Sequence, residues 1–94
     1  MKKCIVMHKA DTVATALDAL SVGDAVRILD ADMRDVGELV AREAIPFGHK
    51  ITLSDHAEGA GVVKYGQVIG RAVERIESGR HAHVHNVASL YTLG

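Results

Sequence analysis

The chain has 94 residues and is 48% hydrophobic, enough for one compact domain (residues 1–94) with a modest core, since a chain this short buries ~60–65% of its unfolded surface. Eleven basic and 12 acidic residues leave a formal net charge of −1, so there is no basic excess to grip a nucleic acid backbone. Phe47, Tyr65 and Tyr91 are the only aromatics, too few for a platform of stacked bases; no apolar run approaches the ~20 residues of a membrane span.

In chain order, Met1-Lys2-Lys3 precedes an apolar stretch that stops at His8-Lys9, too short for an export signal. Cys4 to Met7 reads as a short buried strand, with Cys4 an inert core thiol. One cysteine excludes an intrachain disulfide, and the cytosol suits such usage best. Asp11 is placed to cap a helix over Thr12 to Leu20, because Val13, Ala16, Leu17 and Leu20 fall at helical spacing. Ala25 to Leu29 is rich in strand formers, and Asp30 to Asp35 reads as a charged hairpin end. Val36 to Ala44 fits either a helix or a strand.

Pro46 pushes Ile45 towards an extended form, and Gly48 lets the chain turn before His49 and Lys50. A strand follows from Lys50 to Leu53. Asp55-His56, then Glu58-Gly59-Ala60-Gly61, suggests a surface loop or hairpin. Val62 to Gly66 and Val68 to Ala72 are short extended pieces, and Val73 to Glu77 fits a helical turn. The sum is a mostly-β domain with one short helix.

The stretch His81-Ala82-His83-Val84-His85-Asn86 holds three of the six histidines. If it is extended, its period of two puts His81, His83 and His85 on one face and Ala82 and Val84 towards the core. Neutral imidazole binds divalent metals and titrates near neutrality. A row of three therefore reads as a metal or anionic-substrate site, or as an ordinary solvated strand face. The remaining polar candidates, His8, Asp11, His49, Lys50, Asp55, His56, Lys64, Tyr65 and Asn86, lie mostly at strand ends or beside glycines. No phosphate-loop or nucleophile motif is present.

Three blocks in order, Ile45-Pro46-Phe47-Gly48-His49-Lys50-Ile51, Val63-Lys64-Tyr65-Gly66 with Ile69-Gly70, and His81 to Asn86, resemble the SAF-type domain of altronate and galactarate dehydratases. The resemblance runs from about His8 to Asn86. The family usually carries Asp-Asn after its first strand, where this chain has Asp11-Thr12.

The resemblance implies a β-clip fold and a small subunit or domain of a sugar-acid hydro-lyase, active with a large catalytic chain. It implies a divalent metal, Fe²⁺ or Mn²⁺, and puts His81, His83 and His85 in metal and catalytic contact. His49, Lys50, Lys64 and Asn86 would meet the substrate, and His8 and Asp11 would orient a histidine. The small subunit of sulfolactate sulfo-lyase fits the same blocks, and a non-catalytic carbohydrate- or metal-binding module is the rival from another class. The thin core also suits self-association.

Overall fold

The computed structural model describes residues 1–90. Among the described residues nine strands form two sheets: β1 (Lys2–Ile5), β2 (Val13–Ala16), β3 (Ala25–Leu29), β4 (Asp35–Val40), β5 (Lys50–Thr52), β6 (Gly61–Lys64), β7 (Gln67–Ala72), β8 (His81–Ala82) and β9 (Val87–Ser89). The larger sheet runs β4-β3-β1-β2-β5-β8, and the smaller runs β6-β7-β9. Only β1 and β3 pair in parallel; every other named pair is antiparallel.

The helix expected over Thr12 to Leu20 is absent, and no helix occurs among the described residues. The segment instead supplies β2, which sits between β1 and β5 and hydrogen-bonds to both. Val13, Ala14 and Ala16 are all buried. A central strand covered on both faces has no polar side, so its apolar residues are nearly continuous and mimic helical spacing over so short a run. Asp11 accordingly caps no helix. Its carboxylate accepts the backbone N–H groups of His8 (3.1 Å) and Gly66 (2.8 Å), tying the loop before β2 to the β6–β7 turn. That turn is the two-residue Tyr65-Gly66, with φ of 55° and 73°, the doubly left-handed form that matches the twist of a hairpin.

The ambiguous stretch from Val36 resolves into β4, and the helical turn expected over Val73 to Glu77 is irregular chain. Within it Ile76 is buried and bridges His56. The core falls in two parts. One gathers Cys4, Ala14, Ala16, Leu20, Val26, Ala41, Ile45 and Ile51, and the other only Val13, Val62 and Ala82, with Ile69 and Val87 packed against it. Burial pushes the Cys4 thiol up to about 11, so it is the inert core residue expected. The second core is the thinner, and it lies under the strands that carry the histidines.

Candidate functional site: an imidazole cluster at a sheet edge

The site is built by the pairing of β5 with β8. Lys50 lies opposite Ala82 and Ile51 opposite His81. Continuing that antiparallel register sets His49 opposite His83. Alternation then puts His49, His81 and His83 on one face and Lys50 with Ala82 on the other. The rings confirm it. His49 stacks on His83 with centroids 4.5 Å apart, His81 on His83 at 5.2 Å, and His49 Nδ1 lies 2.9 Å from His81 Nε2. One of those two rings donates and the other accepts. Ligating nitrogens of the three rings all fall within 4.8 Å of one another.

The backbone fixes each ring's position. His49 follows the Pro46-Phe47-Gly48 turn, and its carbonyl accepts from the Ala16 N–H of β2 at 2.8 Å. The N–H of His81 donates to Glu43 Oε1 at 2.7 Å. Glu43 has no spacing signal in the sequence that would mark it, since its hydrogen bond is to backbone.

The extended run expected from His81 to His85 ends at Ala82. Residues 83–86 form a turn, closed by His83 O accepting from the N–H groups of Asn86 and Val87 at 3.1 and 2.9 Å. Asn86 holds the turn with both ends of its amide: Oδ1 accepts from His83 N–H, and Nδ2 donates to His81 O. An asparagine three residues after His83 competes with the ladder for its backbone N–H, which is why alternation stops there. Ala82 is buried as expected, but Val84 is 84% exposed rather than core-facing. His85 leans on His81 at 5.5 Å and lies outside the converging set, where His49 takes the place sequence spacing gave it. Asn86 is buried within its turn rather than offered to a substrate.

The other candidates divide. Lys50 and His83 border a cleft of about 210 Å³ between the sheets, and Lys64 lies close enough to Lys50 to affect its charge. Its own ammonium sits 5.2 Å from the Tyr65 ring centre. His8 and Asp11 line a different cleft of about 540 Å³ with Asp30 and Asp32, and no hydrogen bond joins them to the cluster. His56 is buried. Its Nδ1 donates to Ser54 O, and its Nε2 pairs with Thr12 Oγ1, which also accepts the Val63 N–H. Thr12 and His56 thus pin β2, β6 and the loop after β5 together. Asp55 accepts from the Ser78 backbone and sits by Arg75, and Tyr65 forms the hairpin turn.

Burial, and after it the crowding of like groups, sets the electrostatics. Burial first, then the charges of His49, His83 and His85, hold His81 below its ordinary 6.5, with Glu43 opposing. His83 is lowered by desolvation, then by His49, Lys50 and His85. Burial and the Lys64 charge lower Lys50. A histidine depressed in the folded state takes up its proton later than in the unfolded chain, so the unfolded state gains protons first as pH falls. Stability is therefore full above pH 6.5 and declines as pH drops from there towards the lowered folded values. Urea midpoints measured across that range should fall, and His81→Gln with His83→Gln should flatten the fall.

Residues 2–90 match the altronate/galactarate dehydratase SAF domain family. The chain is 40% identical over 82 residues to altronate dehydratase of Escherichia coli (strain K12), covering 87% of this chain and 15% of that protein. It is 36% identical over 84 residues to the (2R)-sulfolactate sulfo-lyase subunit alpha of Chromohalobacter salexigens, covering 87% of this chain and 89% of that subunit. Over 48 residues it is 44% identical to the same subunit from Paracoccus pantotrophus, 51% of this chain and 72% of that one. The chain thus spans about a sixth of the dehydratase and most of the sulfo-lyase subunits. With its match running from Lys2 to Leu90, this chain belongs to the altronate/galactarate dehydratase SAF domain family.

Proposed function

We propose that the chain is the small subunit, or small domain, of a metal-dependent lyase that removes a β-substituent from a hydroxy acid, in company with a larger catalytic chain. The observation that carries this reading is the convergence of His49, His81 and His83 within 4.8 Å, on a domain whose relatives are lyases or lyase subunits. The match to 89% of a sulfo-lyase alpha subunit supports the small-subunit form of this reading. The β-clip architecture expected of the family belongs to the same proposal, supported by two small sheets joined by long irregular connections.

The donor set fits a divalent cation. Two nitrogens ~2.1 Å from one ion at right angles are ~3.0 Å apart, close to the 2.9 Å between His49 and His81. For all three to bind on one side of the ion, the third imidazole has to draw in by about an ångström or more, to ~3.0–3.4 Å from the other two. Three neutral imidazoles on one side leave positions for water or substrate; of the two metals expected, iron(II) suits such donors better than manganese(II), which favours oxygen ligands. The bound ion would supply positive charge where negative charge develops beside the substrate carboxylate.

The elimination itself needs a base to take the proton from the carbon bearing the carboxylate. Those C–H electrons become the C=C bond as the bond to the β-substituent breaks, and the leaving group departs with that pair. Hydroxide needs a proton to leave as water, whereas sulfite departs as a stable anion. The enol product then tautomerises to a 2-oxo acid. In this chain the His49–His81 pair can hold one proton between Nδ1 and Nε2, and the same two nitrogens would release it on binding a cation. Depression of His81 and His83 keeps them neutral, able to ligate or accept a proton, to a lower pH than a free histidine.

Reconstitution tests the reading. The chain alone should turn over neither altronate, galactarate nor sulfolactate. Mixed with the larger dehydratase-like chain, it should give turnover of one of them that depends on Fe²⁺ or Mn²⁺. Full turnover by the larger chain without this one would dismiss the proposal.

A further inference from the structure

The thinner of the two cores is open at one end. Only Val13, Val62 and Ala82 are buried in it, with Ile69 and Val87 packed against them. The cleft of about 210 Å³ between the sheets is that open end, walled by Val62, Ile69, Ala82 and Val87, with Lys50 and Ser89 as polar groups in its lining. Sites for free small molecules run to about 300–1,000 Å³, so this one is sized for an inserted side chain. Val84 also lines the cleft and is 84% exposed. The Asn86 amide ties its turn to the N–H of His83 and the C=O of His81, so a held turn keeps this apolar residue in solvent. The sheet edge beside it is closed: the N–H and C=O of His81 are spent on Glu43 and Asn86, and a partner strand cannot add at β8. Docking here goes through side chains.

We infer that the larger lyase chain docks on this cleft, inserting an apolar side chain against Val84 and the aliphatic wall and setting a carboxylate on Lys50. The inference rests on the proposed lyase function, which supplies the larger chain, and goes beyond it by assigning the surface. Charge complementarity fixes the second contact, because among the described residues Lys50 has no carboxylate within ion-pair distance. An apolar anchor in a pocket with a charge pair at its rim is the usual core of a protein interface. Position favours the larger chain over a second copy. His83 borders this cleft as well as belonging to the imidazole cluster on the opposite face, so a chain seated here lies next to the candidate site. That site lacks a carboxylate of its own: Glu43 accepts the His81 N–H, and the converging donors are imidazoles alone. The larger chain has groups to bring there, whereas a second copy brings only the same set again.

The test adds the larger dehydratase-like chain to the full chain, with methyl groups of the latter labelled for NMR. The methyl signals of Val62, Ile69 and Val87 should shift as the two chains associate. Val84→Glu puts a charge at the mouth of the cleft and should weaken association by at least about 10-fold, as should Lys50→Glu. Val22→Glu is the control: Val22 is 70% exposed and outside the cleft, so affinity should stay within about 2-fold. The amide spectrum of each variant confirms its fold. Association that is indifferent to Val84→Glu, or that leaves the three methyls unmoved, overturns the inference, as does no association at all. Methyl shifts that grow with the concentration of this chain alone also overturn it and give the cleft to a second copy; shifts produced by malate or galactarate overturn it in favour of a small acid. The lyase reading fails separately: chains that associate through this cleft and yet give no metal-dependent turnover sink that reading and leave the surface standing.

Discussion

Replacing His49, His81 and His83 together with alanine should lower the turnover of the proposed metal-dependent lyase by at least about 100-fold, whereas His85→Ala alone should cost less than about 10-fold. The first figure is the lower end of what removal of a positioned proton-transfer group costs, and loss of a metal's supporting shell adds a further 10–100-fold in affinity or activity. The contrast is the sharper part. An extended reading of residues 81–85 makes the three alternate histidines equivalent and leaves His49 as a neighbour. The turn at 83–86 makes His49 a member of the cluster and sets His85 against the outer side of His81. Turnover in the four single variants, with bound metal measured alongside, decides between them. A His85→Ala variant as impaired as His81→Ala, with His49→Ala unaffected, would refute the assigned cluster. None of these side chains is deeply buried, so unfolding is not expected to cloud the comparison.

Much of the strand content was legible because most strands carry residues of one kind between strong punctuation. Ala25 to Leu29 and Lys50 to Thr52 are β-rich runs bounded by glycine, aspartate or proline, and both are strands. The error at Val13 to Ala16 has a definite source. Over four residues, a strand buried on both faces and one side of a helix present the same apolar residues, and no local signal separates them. What decides is that β1 and β5 each need a partner with free backbone groups, a fact of tertiary structure.

The site was half legible for a related reason. The six-residue block with three histidines announced imidazole chemistry, but spacing alone says nothing about which residue lies across the ladder. His49 is 32 positions earlier than His81 and reaches it only through β5–β8 pairing. Asn86, marked as a substrate contact, was informative about geometry instead. Its amide ends the alternation and curls the chain so that His83 stays near His81 while His85 moves off. Charge told less still. A net charge of −1 says nothing of Lys50, which borders the cleft between the sheets and, among the described residues, has no carboxylate within ion-pair distance.

Gly79→Ala should destabilise the fold by about 2–5 kcal/mol, a large part of the ~5–15 kcal/mol available to a domain of this size. Two effects combine. At φ +87°, an L residue meets the steric penalty of the left-handed region, about 1–2 kcal/mol. An added Cβ would also overlap the Val40 carbonyl oxygen and stand 3.2 Å from Arg42 Cγ, forcing backbone apart at a cost of about 1–3 kcal/mol. Gly23 is the internal control, with φ +89° and nothing within 4 Å of its would-be Cβ, so Gly23→Ala carries the first penalty alone. Urea denaturation of both variants isolates the overlap as their difference; equal losses would mean that the approach of Gly79 to Val40 is not tight. The consequence reaches the site because Gly79 donates to Thr52 O, accepts from Arg42 N–H and lies two residues before His81. Displacing it moves β8 against β5, and with it the ring-to-ring register on which the proposed metal binding depends. Weakened divalent-metal affinity in folded Gly79→Ala, with Gly23→Ala unchanged, is therefore the expected second readout.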